Sequence, residues 1–103
     1  MISKAQGRRE NTVLVTFHLP ASAWAEEVHL LGDMNGWAYP GIPLTCGRDN
    51  AGWTLSLELQ RGREYRFLYL INNAIFCNDY QADACTEIQL PIAYKGYASV
   101  LIP

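Results

Sequence analysis

A chain of 103 residues, 50% hydrophobic and 17% charged, has the length of one globular domain with an adequate core. Folding at this size removes roughly two-thirds of the unfolded surface from water. An aromatic content of 12% excludes disorder over most of the chain, and a net charge of −2 with scattered Lys and Arg excludes a strongly basic nucleic-acid module.

Residues 1–11 are polar and carry Lys4, Arg8, Arg9 and Glu10. They read as a flexible tail before a single domain over 12–103, and they lack the apolar core of a signal peptide. No run approaches the ~18 apolar residues of a membrane span. From Thr12 the period is two: Val13, Val15, Phe17 and Leu19 share one face, Thr12, Thr16 and His18 the other, with Leu14 an exception. Pro20 ends this strand, and residues 21–26 have room for one helical turn. A strand over 27–32, a turn-rich stretch over 33–43 and a short strand over 44–46 follow.

Trp53, Leu55, Leu57 and Leu59 then alternate with Thr54, Ser56, Glu58 and Gln60, the signature of a half-buried antiparallel strand. Arg61-Gly62 turns the chain into residues 63–71, where Tyr65, Phe67, Tyr69 and Ile71 share one face. The opposite face, with Glu64, Arg66, Leu68 and Leu70, is expected to be at least partly exposed. Asn72-Asn73 suits a hairpin turn, because Asn tolerates positive φ, and a short strand over 74–77 returns beside it. Residues 78–96 read as a long irregular loop and 97–102 as the last strand. About seven short strands and no long helix predict an all-β antiparallel sandwich, with Trp53, Leu55, Leu57 and Phe67 inward.

Catalytic chemistry is not legible. Cys46, Cys77 and Cys85 are odd in number without CxxC spacing, which predicts buried thiols, no disulfide framework and a reducing cytoplasm. His18 and His29 sit inside strands without metal-ligand spacing. Asp79 and Asp83 are loop carboxylates expected to be solvated rather than an acid/base pair. With no GxSxG, P-loop or GxGxxG, the expectation is a non-catalytic protein without cofactor or metal.

The informative segment is Gly32-Asp33-Met34-Asn35-Gly36-Trp37. Gly32 ends a strand, Asp33 and Asn35 can close side-chain turns, and Gly36 can take positive φ. Trp37 is thereby fixed at a strand end, either capping the core or presenting its ring.

That segment, with Trp53-Thr54-Leu55-Ser56-Leu57-Glu58-Leu59, then Gly62-Arg63-Glu64-Tyr65-Arg66-Phe67-Leu68-Tyr69-Leu70 and Asn78-Asp79, resembles carbohydrate-binding module family 48. The family includes the glycogen-binding domain of the AMP-activated protein kinase β subunit and the early-set domain of isoamylases and branching enzymes. The similarity covers about residues 13–101 and is greatest to short bacterial proteins made of this module alone. It implies an immunoglobulin-like sandwich that binds an α-1,4-linked glucan or maltooligosaccharide. The family's two tryptophan platforms fall on Trp37 and Phe76, its basic residue on Leu68 and its Asp-Gly turn on Asn72-Asn73. A protruding apolar residue falls near Tyr94, and the asparagine before the last strand near Ala98. The implied site is Trp37, Phe76 and Tyr94, with Asn35 and Asn73 as nearby donors. Loss of the polar contacts at Leu68 and Ala98 leaves a second expectation open. The same sandwich would then dock a protein, of glycogen metabolism or regulation, by an edge strand or an aromatic patch.

Overall fold

Alternation over two eight-residue segments, broken only at Thr12 and Leu14 of the first, organises one sheet of the fold. In a computed structural model, which describes residues 2–20, 25–48, 51–79, 81–90 and 94–103 (only the backbone at 90, 94 and 95), those segments are neighbours in one sheet. The strands in chain order are β1 (Ile2–Gln6), β2 (Thr12–Leu19), β3 (Val28–Gly32), β4 (Ile42–Pro43), β5 (Thr45–Cys46), β6 (Trp53–Gln60), β7 (Tyr65–Ile71), β8 (Ile75–Cys77), β9 (Ala84–Leu90) and β10 (Tyr94–Leu101). One sheet runs β1-β2-β6-β5; the other runs β4-β3-β7-β10-β9, with β8 also on β7. Every pairing is antiparallel. The expected sandwich is therefore present, built of ten strands among the described residues rather than about seven.

Its core forms where the inward rows of the two sheets meet. Val13, Val15 and Phe17 from β2 and Trp53 and Leu59 from β6 pack against Val28, Leu30, Tyr65, Phe67, Tyr69 and Leu101, with Leu55 and Leu57 against the cluster's edge. Phe17, Phe67 and Tyr69 meet edge to face, with centroids 5.2, 5.7 and 6.5 Å apart. Each such pair contributes about 0.5–1.5 kcal/mol beyond the area it buries.

Two readings of the sequence are corrected here. Residues 2–6 are not a free tail: β1 pairs with β2 from Ile2↔Phe17 to Gln6↔Val13. It is an edge strand held by backbone bonds with only Ile2 half-buried, so it carries no hydrophobic alternation to read. Residues 84–90 likewise form β9 on β10, and β10 begins at Tyr94. The turn expected over 21–26 falls largely on residues 21–24, which lie outside the described residues.

The larger correction concerns β7. Leu68 and Leu70, expected on an exposed face, are both 0% exposed. Flanked by β3 on one side and by β10 and β8 on the other, β7 is central and buried on both faces. Its unbroken run Phe67-Leu68-Tyr69-Leu70-Ile71 is the pattern such a strand needs. The outward row pairs Leu31 with Leu68 and Leu70 with Phe76, giving a second apolar layer on the outer face of the larger sheet. Ala98, also 0% exposed, belongs to this layer.

Candidate functional site

The connection from β3 to β4 lies across that outer layer. Its first residues form a 3-10 turn, Asp33–Asn35, followed by two consecutive left-handed residues, Gly36 at φ 66° and Trp37 at φ 57°. Gly32 is required before it, since a Cβ there would lie 2.4 Å from the Arg66 carbonyl oxygen and 2.8 Å from the Phe67 Cβ. The Trp37 amide donates to the Gly32 carbonyl at 2.9 Å and closes the turn. The connection touches both ends of β7: Asp33 binds Arg66, and the Tyr39 hydroxyl donates to the Asn73 carbonyl at 3.3 Å.

Trp37 is half-buried, and its indole Nε1 donates to Asp33 Oδ1 at 2.7 Å. The same carboxylate receives the Arg66 backbone N–H at 2.8 Å, Nε at 3.2 Å and Nη2 at 3.3 Å. Burial alone would raise the Asp33 carboxyl; the Arg66 guanidinium, the Arg66 amide and the Trp37 indole outweigh it and hold the group below its usual 3.8. Arg66 alternates with inward-facing Phe67, so it stands on the outer face beside Trp37. Asp33 engages two of its guanidinium donors, which leaves about three of the five for another acceptor.

The other expected site residues are distributed as follows. Phe76 is half-buried on β8, opposite Leu70 and on the same outer face. Asn35 is committed to the turn: its Oδ1 accepts the Gly32 N–H at 3.0 Å and its Nδ2 donates to the Ala38 carbonyl at 3.1 Å. Asn73 Nδ2 donates to Glu27 Oε1. The Tyr94 backbone pairs with Leu90, while its side chain lies outside the described residues. Two residues were missed by the sequence reading, Arg66 and Tyr39. Tyr39 is 50% exposed in the same connection, and its only signal was an aromatic residue inside a Pro- and Gly-rich turn.

Asp79 is not a solvated loop carboxylate. It is 7% exposed, and its Oδ2 accepts the Tyr69 hydroxyl at 2.7 Å. Burial first, and then the adjoining carboxylate, push the Tyr69 phenol far above its ordinary range. The Asp79 amide donates to Ser99 Oγ, which donates to Asn78 Oδ1, so this network pins the segment after β8 to β10. Asp83 binds Lys4 at 3.2 Å and the Ile102 amide at 2.7 Å. The thiols also differ from expectation, since Cys46 and Cys85 are exposed and Cys77 half-buried, all three free.

Among the described residues no group of three His, Cys, Asp or Glu could hold a metal ion, and no helix is long and apolar enough to cross a membrane. No protein-family model and no curated protein matches the sequence.

Proposed function

We propose that this protein is a non-catalytic binding module for α-1,4-linked glucans, with Trp37 as its stacking platform. The carrying observation is the Trp37 backbone, a bulky residue held at φ 57° with its one polar atom bound to Asp33. A left-handed conformation at such a residue costs on the order of 1–3 kcal/mol and persists where surrounding structure enforces it, most often at sites of function. The bond to Asp33 fixes the ring's orientation and leaves its apolar face as its means of contact. Arg66 supports the reading. It stands two residues before Leu68 on the same face, so it supplies the basic donor that Leu68 lacks. Tyr39 and Phe76 add rings on this side of the sheet.

Each stacked ring contributes about 0.5–1.5 kcal/mol beyond its area, which suits a weak site with a dissociation constant of about 0.1–1 mM. Titration with a cyclic maltooligosaccharide, followed by tryptophan fluorescence, tests this together with retardation in glycogen gels. Binding by the parent protein and its loss in a folded Trp37→Ala variant are expected. Equal binding by both proteins would overturn the assignment.

One observation favours a second reading. β9 closes one end of the larger sheet and contains neither Lys nor Pro, the residues that usually guard an edge, while Tyr97 on the adjoining strand is 54% exposed. A protein partner adding a strand there would bind normally in the Trp37→Ala variant and be lost when proline is placed in β9.

A further inference from the structure

We propose that the end of the sandwich formed by the β1–β2 and β6–β7 turns binds a phosphate group, at a site separate from the Trp37 face. Cations scattered in sequence are collected here by strand pairing. β2 and β6 align Thr12 with Gln60, and the Arg61 amide donates to the Asn11 carbonyl at 2.8 Å, which puts the two turns in contact. Arg8, Arg9, Arg61 and Arg63 are thereby gathered, four of the chain's eight cations, with Glu10, Glu58 and Glu64, three of its ten acids. The side chains gathered here sum to +1 in a chain whose net charge is −2, and the Gly62 amide beside them donates to the Pro103 carbonyl at 2.8 Å. All four cations are arginines, whose planar forks match phosphate oxygens, and both lysines lie elsewhere.

Two of the four are positioned in advance. The Arg9 amide and Nε bind Glu58 Oε1 at 2.9 and 3.4 Å. Arg63 lies over the Tyr65 ring at 5.3 Å, and the Tyr65 hydroxyl accepts the Gln60 amide. Glu58 is spent on Arg9 and on the Thr12 hydroxyl at 2.6 Å, so it does not neutralise the remaining arginines. A cavity of about 540 Å³ opens between the turns, lined by Arg9, Glu10, Asn11, Thr12, Gln60 and Arg61. Glu10 is the acid in its lining, and a seated phosphate would draw on Arg61 and on the Arg9 Nη donors, since Glu58 holds Arg9 through Nε, with Arg8 and Arg63 in the same two connections.

The test is a titration of the full chain with inorganic phosphate at fixed ionic strength, read by amide chemical shifts. Glucose 6-phosphate in a parallel arm separates a free phosphate ligand from a phosphate carried on a sugar. Saturable shifts confined to residues 8–12 and 60–64 are expected, at least about tenfold weaker in R8S/R61S, since bonds to charged groups are the strong ones. Arg61→Lys, which keeps the charge and loses the fork, should weaken binding to a smaller degree. Identical shifts from chloride at the same ionic strength would overturn the proposal. So would unchanged affinity in R8S/R61S with the rest of its spectrum intact.

Discussion

The Trp37 indole donates to Asp33 at 2.7 Å, and through that one carboxylate the ring is tied to the first residues of β7. Asp33 thus joins three things: the 3-10 turn, the orientation of Trp37 and the Arg66 guanidinium. Its side chain is the hinge on which the proposed platform depends.

Asp33→Asn should therefore destabilise the fold by about 1–3 kcal/mol at neutral pH, the cost of hydrogen bonds to a charged group. The carboxyl is depressed in the folded protein, so its contribution is full above the unfolded pKa and is lost as pH falls through the folded value. The gap between parent and variant should begin to narrow as pH falls into the ordinary carboxylate range and close only below it, under the depressed folded value. Urea denaturation at several pH values measures it, and the Trp37 indole N–H should exchange faster in the variant. An unchanged exchange rate would mean that packing, not Asp33, holds the ring.

Leu68 was expected on a partly exposed face, at the position where the resemblance places a basic residue, and its complete burial reverses that expectation. Leu68→Lys should cost about 3–5 kcal/mol, because an uncompensated charge would enter an apolar layer. Leu68→Ala should cost about 2–5 kcal/mol through the cavity it leaves. Thermal denaturation distinguishes these from a surface change. A lysine variant as stable as the parent would show that the outer layer opens readily.

How much was legible follows from where each signal lies. β2, β6 and the inward row of β7 could be read because each sets apolar side chains against a core at period two. The Gly32–Trp37 turn was legible from residues that only such a turn needs. β1 and β9 were not, because edge strands are held by backbone bonds that leave little trace in side-chain pattern. The double burial of β7 was also missed. Alternation was read into a run that is apolar at five successive positions, Phe67 to Ile71. Asp79 needed the position of Tyr69, and the arginine cluster needed the β2–β6 register; both are facts of tertiary pairing.

Glu58 carries the clearest pH signature. The Thr12 hydroxyl, then the Arg9 amide and guanidinium, draw its carboxyl from 4.5 down to about 2. A depressed acid stabilises the fold above its unfolded pKa and ceases to do so as pH falls through the folded value. Parent and Glu58→Gln should thus differ in melting temperature at neutral pH and converge as pH falls from 4.5 toward about 2. A difference that persists unchanged at the acid end would place the effect in Gln packing, not in the charge.

The β7–β8 turn separates two asparagines that look alike in sequence. Both are left-handed, Asn72 at φ 53° and Asn73 at φ 55°, in the three-residue connection between paired Ile71 and Ile75, where the Ala74 amide donates to the Ile71 carbonyl at 3.0 Å. Their side chains do different work. Asn72 Oδ1 accepts the Glu26 and Glu27 amides at 2.7 and 3.1 Å, which fixes the chain as it enters β3, whereas Asn73 makes one exposed bond to Glu27. Glycine at either position relieves the left-handed backbone. At 72 it also strands two backbone donors, so Asn72→Gly should cost about 1 kcal/mol. Asn73→Gly should fall within about 0.5 kcal/mol of the parent, as surface changes do. Urea midpoints compare the two directly. If Asn72→Gly proves as stable as Asn73→Gly, the Asn72 carbonyl is not what holds the entry to β3, and the Glu27–Asn72 backbone bond at 2.9 Å suffices.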